Sequence, residues 1–270
     1  MNTKAIMEYM RNNIDKNYKI EDIAKYFNYS KFEFSKKFKD ITGFSASRFY
    51  SFLKIEKALT ILINENQKII VSQILSGHKS SGTFSNLFNK YVGMTPTSYK
   101  KNMSTFYNIT IEYINSVKKG EITDDTYFRN FYESINSKSK NSLVINFIYP
   151  KNYKSELTFI GLFDTPQPEN SLVIGKVIVP EKSENKCTFT NIPDGKYYLL
   201  AYSIEKGCNA EKFFDLRDAL RVMMKKPFIF PFESESKLTL TLRQARATDF
   251  PILINIPEII FKLTNGKTNF

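Results

Sequence analysis

The sequence predicts a multidomain chain: an all-α N-terminal part built from two copies of one helical unit, a helical connection, and a mainly-β C-terminal sandwich with one helical insertion. Three observations predict it. A phrase recurs at an offset of 50 residues, with Tyr29-Ser30, Phe34-Ser35, Phe38, Gly43-Phe44-Ser45 and Phe49 answered by Lys79-Ser80, Phe84-Ser85, Phe88, Gly93-Met94-Thr95 and Tyr99. Two copies confined to residues 1–103 indicate a duplicated unit, not a solenoid. From Leu143 onward the pattern changes to short β-rich runs split by Pro, Asn, Asp and Gly. Charge divides along the same line: residues 1–103 hold 17 Lys plus Arg against 8 Asp plus Glu, while the other 167 residues supply only +3 of the net +12.

Each copy reads as a helix, a tight turn and a second helix. In the first, Ile20, Ile23, Ala24 and Phe27 form an apolar stripe opposite Glu21, Asp22 and Lys25. Ser30 is the N-cap of the next helix, where Phe34 and Phe38 sit four apart among Lys31, Glu33, Ser35, Lys36, Lys37 and Lys39, and Gly43 ends it. The second copy carries Ile70, Val71, Ile74 and Leu75 on its first helix and Ser80 or Ser81 as cap. Phe84, Leu87 and Phe88 are its buried side, and Gly93 closes it. A helix held from within by aromatics and basic outside suits a major groove, which makes each copy a helix-turn-helix.

Between the copies Phe49, Phe52, Leu53, Ile55, Ala58, Leu59, Leu62 and Ile63 are periodic, with no Gly or Pro from Ser45 to Ile63. One helix of about 19 residues, roughly 28 Å long, follows. Such a strut can set two recognition helices about one DNA turn apart, roughly 34 Å.

These residues resemble the AraC/XylS transcriptional regulators, whose DNA-binding domain joins two such motifs by a linker helix. The resemblance rests on Ile23-Ala24, Ser30, Phe34, Phe38-Lys39, Gly43, Phe44-Ser45 and Phe49-Tyr50, on Lys54, Ala58 and Leu62 of the linker, and on Ile74, Gly77-His78, Ser80, Thr83-Phe84-Ser85, Phe88-Asn89, Gly93-Met94-Thr95-Pro96 and Tyr99-Lys100. It covers residues 1–103. It implies base contacts from Phe32, Ser35 and Lys36 on the first recognition helix and from Ser81, Gly82, Ser85 and Asn86 on the second. Lys31, Lys39, Arg48, Lys79 and Lys90 are the implied phosphate contacts. Lys54 and Asn86 stand where the family often has Arg, and Gly82 has no side chain to read a base, so the second helix is expected to lean on backbone contacts and DNA shape.

The basic excess in residues 1–103 fits phosphate neutralisation; a membrane surface is the other partner such charge could meet, and the duplicated helical pattern favours double-stranded DNA. No apolar stretch approaches 18 residues and the start Met-Asn-Thr-Lys lacks an apolar signal region, so a cytoplasmic setting is expected, consistent with only two cysteines, Cys187 and Cys208.

Residues 104–142 are expected to be a mostly helical connector. Phe106, Ile109, Ile111, Tyr113, Ile114 and Val117 are mixed in character, while Tyr127, Phe128, Phe131, Tyr132 and Ile135 suggest a helical stripe. Residues 143–270 follow as the β domain, with strands expected over 143–149, 157–163, 171–179, 186–189, 197–204, 227–232 and 237–242, the spacing of an antiparallel sandwich. Residues 189–202, with Pro193-Asp194-Gly195 before an alternating run, resemble prealbumin-like or carboxypeptidase-regulatory-like β-sandwich domains. A helix is expected over 210–226, with Phe213, Leu220, Met223 and Met224 as candidate pocket residues.

Catalysis has little material. His78 is the sole histidine and reads as packing, neither cysteine sits in a nucleophile motif, and no phosphate-binding glycine phrase occurs among ten glycines. No enzymatic activity, metal or cofactor is expected. The sequence therefore points to a bacterial regulator, activator or repressor, that reads two major grooves with one chain. RNA polymerase is a candidate partner, and the β domain would bind a small-molecule or protein effector or mediate dimerisation. The alternatives are an enzyme or ligand carrier, or a pure protein-interaction module, with DNA binding as accessory.

Overall fold

The computed structural model describes residues 1–63, 67–122, 127–128, 139–167, 172–224, 226–231 and 237–264. The chain divides into two units, Met1–Lys101 with Arg246–Ile254, and Asn102–Ala245 with Asn255–Phe270.

In the first unit α1 (Thr3–Asn12) starts at Asn2, whose side chain accepts from the Ala5 amide, and buries Ile6, Met7 and Met10. A 3-10 turn, Ile14–Lys16, leads to α2 (Ile20–Tyr26) and α3 (Lys31–Thr42). The expected linker is one unbroken helix, α4 (Ala46–Ile63), of 18 residues. The second copy is α5 (Ile69–Leu75) and α6 (Ser81–Val92), and α7 (Pro96–Lys119) begins in this unit and ends in the other.

The duplication is physical as well as textual. Ser30 Oγ accepts from Glu33 N at 3.2 Å and Ser80 Oγ from Thr83 N at 3.4 Å, so Ser80, not Ser81, is the second cap. Gly43 and Gly93 close the two helices at φ 84° and 94°, the left-handed region that favours glycine. Phe34 and Phe38 lie 5.9 Å apart between ring centroids and Phe84 and Phe88 5.8 Å; Phe38 then meets Phe49 at 6.3 Å, as Phe88 meets Tyr99 at 5.7 Å.

The first helix of the second copy departs from its apolar pattern, with Val71 half-buried. Ile70, Ile74 and Leu75 are exposed, and the inner face of α5 is Ser72, Gln73 and Ser76. Ser72 Oγ donates to the Ala58 carbonyl of α4 at 2.9 Å, Ser76 Oγ to the Ser72 carbonyl at 2.6 Å, and Gln73 Nε2 to the His78 carbonyl at 3.3 Å. Small hydroxyl side chains let α5 lie close on α4 while their polar atoms stay satisfied. On α6, Leu87 is half-buried.

The second unit contains β1 (Tyr127–Phe128), β2 (Asn141–Ile148), β3 (Ser155–Phe163), β4 (Leu172–Ile178), β5 (Lys186–Ile192), β6 (Gly195–Glu205), β7 (Leu220–Met223), β8 (Phe228–Phe230) and β9 (Lys237–Thr241), with short α8 (Pro180–Ser183) and terminal α9 (Ile256–Thr264). All seven expected runs contain strand. They form a sheet of order β1-β4-β3-β6-β7, with β8 also on β6, and a sheet of order β5-β2-β9. Leu143, Ile145 and Phe147 of the small sheet share a core with Ile160, Leu162, Leu199 and Ala201 of the large one, which makes the sandwich. The chain crosses between sheets at Pro193-Asp194, where Asn141 Nδ2 donates to Asp194 Oδ1 at 2.7 Å and to the Ile192 carbonyl at 2.8 Å. β3 and β6 are buried on both faces: Phe159 and Tyr202, on the side away from that core, lie 5.4 Å apart.

Three expectations change, and one open reading resolves. β2 and β9 are parallel, so the sandwich is not wholly antiparallel. Residues 106–117, of mixed character in sequence, belong to α7, where Phe106, Thr110, Tyr113, Ile114 and Val117 form one buried stripe. Tyr127 and Phe128 pair with Lys176 and Gly175 of β4 as strand, not helix; Phe131, Tyr132 and Ile135 lie outside the described residues. The helix over 210–226 reduces to a 3-10 turn, Ala210–Phe213, because buried Arg221 donates to the carbonyls of Leu216, Arg217 and Ala219, which a helix would give to its own amides, while Leu220–Met223 pair with β6.

Candidate nucleic-acid interface

The outer faces of α3 and α6 are set by their inner ones. With Phe34 and Phe38 buried, the helical repeat turns Lys31, Phe32, Lys36 and Lys39 to solvent and leaves Ser35 half-buried; Phe32 is 80% exposed. With Phe84 and Phe88 buried, Ser81, Gly82, Asn86 and Lys90 face out and Ser85 is half-buried. The expected residues thus group on two surfaces, three base-reading candidates on α3 and four on α6. Arg48, half-buried near the start of α4, and Lys79, exposed before α6, flank them.

Their availability differs. Lys31 is ion-paired with Glu21 of α2, which holds that carboxyl below its ordinary range, and Lys37 pairs with Glu33 at 2.7 Å. Lys36, Lys39 and Lys79 have no ion-pair partner among the described residues. Ser81 Oγ donates to Gln73 Oε1 at 2.8 Å, so its hydroxyl holds the α5–α6 turn. Lys90 Nζ lies 5.5 Å from the Tyr91 ring centroid.

The turn before α6 is tightly built. Gly77 adopts φ 75°, and a Cβ there would lie 2.8 Å from the Ile14 carbonyl oxygen, so the position admits only glycine without displacement. Lys54 points inward, with Nζ donating to Asn17 Oδ1 at 2.6 Å and to the Gly77 carbonyl at 3.1 Å; burial, then Lys79, lowers its pKa. His78 is buried, 5.1 Å from the Phe84 ring, and burial, then Lys54, pushes its pKa down to about 4.

One part of this unit escaped sequence reading. Arg246–Ile254 returns to it from near the far end of the chain. Arg11 Nη1 donates to Glu56 Oε2 at 2.7 Å, Nε to the Ala247 carbonyl at 3.0 Å and Nη2 to the Asp249 carbonyl at 2.7 Å. The contacts span 236 and 238 residues of sequence, and no local pattern announces them. Helix α9 carries local start signals of its own: Asn255 Oδ1 accepts from Glu258 N, and Pro257 occupies the first turn.

The expected pocket residues of the β domain do not form one stripe. Phe213 is buried 5.3 Å from the Tyr107 ring, Leu220 is in the sandwich core, Met224 packs against that core, and half-buried Met223 pairs with Leu200. A cavity of about 650 Å³ lies elsewhere, among Phe147, Tyr149, Pro150, Tyr153, Lys154 and Lys206. Among the described residues no three His, Cys, Asp or Glu groups could hold a metal ion, and no helix is long and apolar enough to cross a membrane.

Two capped recognition helices joined by a linker helix define a double helix-turn-helix domain. Residues 23–102 match the family model described as a helix-turn-helix domain. It is similar to the MmsAB operon regulatory protein of Pseudomonas aeruginosa, 33% identical over 93 residues, which are 34% of this chain and 30% of that protein. It is also similar to the probable transcription factor PqrA of Proteus vulgaris, 25% identical over 36% of this chain and 81% of that one. A DNA-binding transcriptional dual regulator from Escherichia coli K-12, of known structure, is 24% identical with a TM-score of 0.35, covering 38% of this chain and 98% of that one. The match thus spans under a third of the length of the first of these relatives.

Proposed function

We propose that the chain is a DNA-binding transcriptional regulator that inserts α3 and α6 into two successive major grooves and is modulated through its β domain. The observation that carries this reading is the duplicated surface: two helices with the same serine cap, glycine stop and aromatic inner face, each turning basic or hydrogen-bonding residues outward. Lys36 and Asn86 read base edges, and exposed Phe32 supplies an apolar contact of the kind that meets a thymine methyl. Lys39, Arg48, Lys79 and Lys90 hold phosphates, with Lys31 joining them on leaving Glu21. Ser35 and Ser85 are close enough to the exposed faces to assist, and Ser81 and Gly82 offer mainly the amides of a helix N-terminus.

Functionally the chain divides as residues 1–103 for DNA, 104–142 as connector and 143–270 as the modulating part, except that residues 246–254 return to the first unit. The cavity of about 650 Å³ beside Tyr149 and Tyr153 supports a small-molecule effector there, since it falls within the size of ordinary ligand pockets.

The test is selection of bound fragments from a random double-stranded DNA pool by the full chain at near-physiological salt. A motif of two half-elements about one turn apart is expected. Lys36→Ala should relax the preference in one half and Asn86→Ala in the other, each at roughly 1–3 kcal/mol. Salt-sensitive capture with no motif would reject the sequence-specific reading.

A further inference from the structure

We propose that Phe250 is a positioning residue for both recognition helices, wedged by its own segment into the seam between the two helix-turn-helix copies. The proposal rests on the reading of α3 and α6 as DNA-reading helices and adds the element that sets them relative to each other.

Phe250 is 3% exposed, and its ring centroid lies 4.3 Å from that of Phe52, 5.0 Å from Phe44 and 6.0 Å from Phe49. On one side Phe44 and Phe49 are the rings against which Phe38 of α3 packs, at 5.9 and 6.3 Å. On the other side Phe52 meets Tyr91 of α6 at 4.2 Å. A single side chain is thus one ring removed from α6 and one ring removed from the aromatic that holds α3. The neighbouring Ile252 and Leu253 are buried too.

The segment is latched, not merely laid down. Arg11 holds two of its carbonyls, of Ala247 and Asp249, while its remaining nitrogen pairs with Glu56 of α4, and its guanidinium lies 5.6 Å from the Phe49 ring centroid. The Asp249 carboxylate accepts from the Arg246 amide at 2.8 Å, which closes the turn that presents Phe250. Planar, multi-donor capture of this kind fixes geometry as well as energy. Truncating Phe250 would leave a void at the seam, and packed cores answer a void by partial collapse of the surrounding rings.

The experiment uses the full chain with Phe250→Ala and the space-filling Phe250→Leu, each checked for folding by circular dichroism. Hydrogen exchange should quicken in both α3 and α6 in Phe250→Ala, with Phe250→Leu between it and the parent. In the random-pool selection Phe250→Ala should keep its nonspecific, salt-dependent affinity but lose the fixed spacing between half-elements. Its preference for the parent motif over random DNA should fall on the order of tenfold, the scale of one lost base-pair reading. Exchange confined to α4 and the returning segment, or an unchanged motif and preference in folded Phe250→Ala, overturns the proposal. A parent chain that selects no motif rejects the DNA-reading assignment instead, and the exchange pattern still decides the positioning. If Phe250→Ala does not fold, Phe250→Leu carries both measurements.

Discussion

His78 illustrates how one side chain can make the first unit sensitive to acid. Its pKa is about 4 in the fold, by burial first and by Lys54 second, against 6.5 for a free histidine. The fold holds the neutral ring and excludes the charged one. The unfolded chain takes up the proton near pH 6.5, so the stabilisation is complete above that pH, declines as pH falls toward 4, and levels off below it. The shift corresponds to at most about 3 kcal/mol. His78→Phe, which keeps a ring against Phe84 and cannot titrate, should weaken the fall in urea midpoint between pH 7 and pH 4 relative to the parent. Identical pH profiles for the two chains would mean that the buried ring carries no linkage. Gly77, one residue earlier, is fixed by a different constraint, since its left-handed backbone and the Ile14 carbonyl leave no space for a Cβ.

At the scale of elements, α5 is where composition and packing disagree. Counting apolar residues would bury Ile70, Ile74 and Leu75, yet they are exposed and Ser72, Gln73 and Ser76 lie inside. Ile74→Gln should therefore change stability by no more than about 0.5 kcal/mol, as at ordinary surface sites. Ser76→Leu, at a fully buried site where the hydroxyl donates to the Ser72 and Gln73 carbonyls, should cost roughly 1–3 kcal/mol by overpacking. Denaturant unfolding of the two variants gives the answer, and the reverse order of costs would put the apolar side inward. Much of the rest was legible because its causes are local: Ser30 and Gly43 bound α3 by hydrogen bonding and backbone conformation, and Phe34 and Phe38 fix its inner face by spacing alone. The α5 reversal was hidden because Ser72 bonds to the Ala58 carbonyl of α4, a partner that no pattern within its own helix announces. The helix over 210–226 failed for a similar reason, with Arg221 and the edge of β6 outcompeting helical periodicity. Most expected contact residues fall on the two outer faces, but the sequence could not tell that Lys31 is paired with Glu21 or that Ser81 is spent on Gln73.

For the molecule as a whole the question is whether DNA attraction follows total charge or the few cations near the recognition helices. The full chain carries +12, and residues 1–103 carry +9 of it. Many of those charges are already answered or face elsewhere: Lys31 and Lys37 are ion-paired, Lys54 is turned inward, and Arg11 is spent on Glu56 and the returning segment. If binding is by local contacts, Lys39, Arg48, Lys79 and Lys90 displace the counterions, and about four released charges give a slope of log affinity against log salt of roughly −4. Binding that followed the total charge would give a slope near −11 by the same rule. Titrating a selected duplex with the full chain from about 50 to 200 mM salt separates the two. Lys39→Ala and Lys79→Ala should each flatten the slope by about 0.9 and weaken all sequences alike, which distinguishes them from Lys36→Ala, whose effect should depend on the bases. A slope near zero would remove phosphate neutralisation as the driving force and with it the assignment of these lysines.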